Sequence, residues 1–132
     1  MRRLVFLLSC IFCFISANAQ DDKACSKLKT GTFRTILEDG TDDQATMIYR
    51  KKDKQIEENT ATGFKMEFDV KWTSPCSYTL SNPKIIKGEM EGVAADQEVY
   101  VNILSVTKDK FTVEVSSNFF PGKPVFEYRI IK

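Results

Sequence analysis

The chain predicts an all-β protein, an antiparallel eight-stranded meander carrying one disulfide. Its sheet must cover a dry face by closing on itself or by folding into a sandwich. Closure as an up-and-down barrel is the favoured form, because neighbouring runs follow one another without a long crossover. Three observations carry this expectation. Phe64, Met66, Phe68, Val70 and Trp72 alternate with Lys65, Glu67, Asp69, Lys71 and Thr73, the period of a strand with one dry and one wet face. Other apolar runs of similar length are separated by short turns such as Asp39-Gly40 and Lys108-Asp109-Lys110. Finally, an even pair of cysteines, Cys25 and Cys76, lies beyond an export-like leader.

From the N-terminus, Asp21 to Lys29 is polar, with Ala24 and Leu28 four apart, and fits a single helical turn. Gly31 to Leu37 reads as the first strand through Thr32, Phe33, Thr35 and Ile36. Glu38 to Asp43 is an acidic turn whose spacing matches no calcium loop. Gln44 to Lys51 follows as a strand with Met47 and Tyr49 on one face and Thr46, Ile48 and Arg50 on the other. Gln55 to Thr60 is a polar third strand, suited to a sheet edge or a solvated barrel wall. The alternation from Phe64 to Trp72 is the fourth strand. After the Ser74-Pro75 break, Cys76, Tyr78 and Leu80 begin the fifth, which Asn82-Pro83 is expected to end.

Lys84 to Asp96, with Gly88 and Gly92 among isolated apolar residues, reads as a long connection. It either tucks against the barrel end, forms a short hairpin or lies as a lid over a cavity. Gln97 to Val106 is the sixth strand, apolar on both faces. Phe111, Val113 and Val115 mark the seventh, and Phe126, Tyr128 and Ile130 the eighth, across a turn that holds Phe119 and Phe120.

Arg2-Arg3, an apolar run from Leu4 to Ile15 and Ala17-Asn18-Ala19 form a cleavable export signal, so residues 1–19 are assigned to a signal peptide and 20–132 to a single domain. A lipoprotein anchored through Cys10 is the less favoured form. Cleavage takes two arginines from the 19 basic residues, leaving 17 against 18 acidic ones, well mixed along the chain. That balance gives nucleic acid no basic surface. No transmembrane span remains in the mature chain, and the location expected is periplasmic or secreted. Cys25 and Cys76 are then most simply a disulfide.

The sequence has no histidine, which removes the usual acid-base group and nitrogen ligand. Neighbouring carboxylates on a strand point to opposite faces and cannot converge on one bond. No catalytic residue, metal site or cofactor is expected. Phe64, Phe68, Trp72, Phe126 and Tyr128 are the candidates to line the interior, as packed core or as the wall of a pocket for a small hydrophobic molecule. Tyr78 or Arg129 would supply a polar contact in that pocket. A filled barrel serving as a structural or protein-interaction module of the cell envelope is the alternative.

Cys25-x-x-x-Lys29-Thr30-Gly31-Thr32-Phe33, Trp72-x-x-x-Cys76-x-Tyr78-x-Leu80 and Ile103-Leu104 followed by Lys108-Asp109-x-Phe111 resemble a group of short exported bacterial proteins without an assigned activity. Some members carry a topoisomerase label, but strand passage needs a large multidomain enzyme and nothing here supports it. Gly31-Thr32-Phe33 also resembles the G-x-W of lipocalin-like barrels, with phenylalanine for tryptophan. That resemblance implies a ligand-holding barrel, with Arg129 packing across the Phe33 ring.

Overall fold

The computed structural model describes residues 22–132; the expected signal segment 1–19 lies outside them. Eight antiparallel strands close into a barrel in simple sequence order: β1 (Gly31–Ile36), β2 (Thr46–Arg50), β3 (Lys54–Asn59), β4 (Lys65–Ser74), β5 (Ser77–Lys87), β6 (Val99–Val106), β7 (Lys110–Ser117) and β8 (Val125–Ile131). Closure is made by β1 on β8, from Thr32↔Ile131 to Ile36↔Glu127. The barrel form is therefore the one adopted, and its polar third strand is no sheet edge, since β3 pairs with β2 on one side and β4 on the other.

The period-2 patterns explain the wall. Val70, Tyr78, Leu80, Val101, Ile103, Phe111, Val113 and Val115 turn inward and are buried, while their strand neighbours face water. One end is stoppered by the short helix α1 (Asp22–Ser26) and the residues after it, with Cys25 and Leu28 fully buried. The Cys25–Cys76 disulfide ties this stopper to the β4–β5 turn. Gly31 has a structural reason: a Cβ there would meet the Phe33 ring at 3.0 Å, and φ is +144°. The ring can fold back over the first residue of β1 only where that residue has no side chain.

The sequence expectation is corrected at Asn82-Pro83. β5 does not end there but continues to Lys87, paired with β4 through Glu67↔Lys84 and Met66↔Ile85. Asn82 takes a left-handed φ of 50°, a conformation asparagine tolerates better than most residues, and a register shift falls beside it. Its amide donates to Asp69 Oδ2 at 2.7 Å, and Lys54 pairs with the same carboxylate. The extended β4–β5 hairpin outruns its neighbour: β5 pairs with β6 only from Ser77↔Asn102 to Leu80↔Val99. The remaining connection, residues 88–98, bends over the open end.

Candidate ligand-binding lumen

Inside the wall, above the stopper, lies a cavity of about 440 Å³. That falls within the roughly 300–1,000 Å³ of small-molecule sites. Ile48, Phe68, Leu80, Val101 and Val115 form its apolar wall; Pro83, Met90, Val93, Phe119 and Phe120 surround its mouth. A side chamber of about 380 Å³, bordered by Thr35, Thr46, Asn59 and Phe64, shares Ile48, Glu57, Met66, Met90 and Tyr128 with the main one. The connection expected over 84–96 thus contributes its second half to the rim, and its first four residues to β5.

The polar groups gather at the stoppered end. Arg50, the last residue of β2, is only 4% exposed, and Gln55 on β3 only 2%. The two strands run side by side with Arg50 opposite Gln55, which places both side chains on the inner face. Arg50 Nε donates to Gln55 Oε1 at 2.8 Å, Nη1 to the Leu28 carbonyl at 2.8 Å and Nη2 to the Tyr78 hydroxyl at 2.6 Å. Its guanidinium lies 4.9 Å from the Phe33 ring centre and 4.4 Å from that of Tyr78, distances at which a ring face attracts a cation. Gln55 Nε2 in turn donates to Glu57 Oε1 at 3.0 Å, so one amide links the cation to the acid.

Glu57 borders the cavity while the barrel wall encloses it. Burial pushes its carboxyl above the ordinary value, against the opposing pulls of the Gln55 amide and the Arg50 charge. Burial likewise raises the Tyr78 hydroxyl, with Arg50 opposing, and the Tyr128 hydroxyl, which Glu57 raises further. A carboxyl whose folded pKa exceeds its unfolded one keeps a proton that the unfolded chain has already released. Stability therefore falls as pH rises from the ordinary carboxylate value toward the folded one. Glu57→Gln removes this slope: the variant unfolds at higher denaturant than the parent near neutral pH, and the two converge in acid. Urea titrations across that range check it, and a variant weaker than the parent at neutral pH would refute it.

Of the residues singled out from sequence, Phe68, Tyr78, Phe126 and Tyr128 meet in the main chamber. Phe64 sits on the side chamber. Trp72 lies beyond the floor, its ring 4.8 Å from Tyr78 and faced from outside by Lys29. Arg129 is not brought to the lumen. It alternates out of phase with Phe126, Tyr128 and Ile130, and its guanidinium bonds Asp42 at 3.1 Å and reaches Asp109 at 3.7 Å on the outer face. The arginine across the Phe33 ring is Arg50. Sequence reasoning missed Arg50, Gln55 and Glu57 as a set, although the parity of Arg50 with Ile48 was a usable signal.

Fold and site together define a hollow, disulfide-closed β-barrel with an apolar chamber and a charged floor. Compared with models of protein families, with curated proteins and with solved structures, the chain matches none.

Proposed function

We propose that this protein is a carrier that holds one small, largely apolar molecule in its lumen. The observation that carries the reading is the main chamber itself. A small domain gains stability by filling its interior, and leaving about 440 Å³ open to a ringed mouth forgoes that gain. The export-like leader and the Cys25–Cys76 bridge support work in an oxidising compartment outside the cytoplasm.

A second reading, a protein-docking module of the cell envelope, draws on the exposed Phe119, Val125 and Phe126. Phe119 and Phe126 also border the chamber, which suits a portal equally well. Native mass spectrometry of the mature protein, purified gently from its own source, separates the two. A bound mass released on denaturation is the expected result. A bare monomer, two hydrogens short for the disulfide, would overturn the carrier reading in favour of the docking module.

A further inference from the structure

Arg50 has lost its water to the barrel interior, and a guanidinium so placed is ordinarily matched by a carboxylate. Here it is not: none of the ion pairs among the described residues includes Arg50. Its three hydrogen-bond partners, the Leu28 carbonyl, Gln55 and Tyr78, are all neutral. They occupy three of the five guanidinium hydrogens. Tyr78, having accepted from Arg50, keeps its own hydroxyl hydrogen to donate. Arg50, Tyr78 and Tyr128 all border the main chamber. The floor therefore offers a positive charge and several donors toward a space whose wall is otherwise apolar.

The one acid on that floor is poorly placed to balance the charge. Glu57 reaches Arg50 through the Gln55 amide rather than directly. The Gln55 amide of its own strand bonds Glu57, the Arg50 charge from β2 acts on it, and Tyr78 of β5 and Tyr128 of β8 border the same chamber and feel its charge. Glu58 borders only the side chamber and is paired with Lys65, while Glu91 sits at the mouth. An anion lying against Arg50 would stand beside Glu57 in a low-dielectric space, where two like charges are costly and protonation of one relieves them.

We propose that the lumen takes an amphiphile with a single carboxylate head, that this head settles against Arg50 and Tyr78, and that Glu57 takes up one proton as it does so. The proton comes from solvent and adds to the Glu57 carboxylate; no other bond forms or breaks. The apolar tail runs along Phe68, Leu80 and Val115 toward the mouth. This inference rests on the lumen being a ligand chamber and names the ligand's chemical class and its proton linkage.

The test compares dodecanoate with dodecanol, the same chain without the charge, by titration calorimetry on the oxidised barrel in two buffers of different ionisation enthalpy. Dodecanoate binds tighter than dodecanol by on the order of tenfold or more, the effect of charge-assisted hydrogen bonds. Its affinity falls as pH rises above the ligand's own titration, and the buffer difference reports uptake of a proton. Glu57→Gln abolishes both the uptake and the pH dependence, and Arg50→Met brings the two ligands level. The ligand comparison uses the unsubstituted protein, so it stands whether or not Arg50→Met folds.

Equal binding of dodecanol, or proton uptake that persists in Glu57→Gln, overturns this inference and leaves the chamber reading intact. If neither ligand binds, and the neutral dye 1-aminoanthracene fails to bind as well, the chamber reading falls and takes this inference with it.

Discussion

Replacing both Cys25 and Cys76 by serine lowers the free energy of unfolding by about 4 kcal/mol on the chain-entropy account of a cross-link. The two residues are 51 apart in sequence, so the bridge removes a long loop's worth of freedom from the unfolded chain. Stabilities of domains this size run to roughly 5–15 kcal/mol, so the loss is a large share of the whole. The folded state suffers as well. Cys25 anchors the stopper that brings Leu28 into the barrel end, and the Leu28 carbonyl is one of the three acceptors of Arg50. Paired urea titrations of the oxidised parent and the double variant measure the difference. A loss below about 1 kcal/mol would mean that the stopper is held by packing alone.

Phe33→Ala is expected to cost about 3–5 kcal/mol, the range for removing a large aromatic side chain from a well-packed core. Phe33 is among the most deeply buried side chains. It meets Phe111 edge to face at 5.0 Å and lies under the Arg50 guanidinium at 4.9 Å. Truncation therefore opens a void and takes away the ring against which a buried cation rests. Phe33→Leu keeps much of the volume but not the ring, so it should fall between parent and alanine. Chemical denaturation of the three proteins tests the order. If leucine were as stable as phenylalanine, the contact with Arg50 would contribute nothing measurable.

The meander was legible wherever one face is dry. From Phe64 to Trp72 every second residue is apolar, and a register slip of one would have turned all five outward. The continuation of β5 was hidden because Asn82-Pro83 has the composition of a strand end. What carries the strand past it is a left-handed asparagine and a register shift, and both depend on the partner strand. The lumen was half legible. Phe68, Tyr78, Phe126 and Tyr128 share the inner face by parity alone, and the same parity sets Arg129 outside.

Gln55 and Glu57 were the obscure part of the site. On a strand as polar as Lys54–Asn59, alternation cannot say which face is inward. The inner face is polar here because β2 sets Arg50 directly across from Gln55, a relation between strands that composition does not carry.

The two shortest ladders of the barrel lie on opposite walls. β5 and β6 part above Leu80↔Val99, and β1 and β2 part above Phe33↔Ile48. Beyond the second point the gap is spanned by the Arg34 side chain, which donates to the Thr46 carbonyl at 3.2 Å and to Gln44 at 3.0 Å. Between these seams stand two four-stranded shells, β2 to β5 and β6 through β8 to β1, each zipped along its length. Both seams remain paired at the end where Cys25 and Cys76 are joined. The closed barrel is thus two four-stranded shells joined through short ladders beside the stopper, and on the β1–β2 side the far end is fastened a second time, by the Ile36↔Asp42 bridge and by Asp43 N donating to the Thr35 carbonyl at 2.8 Å.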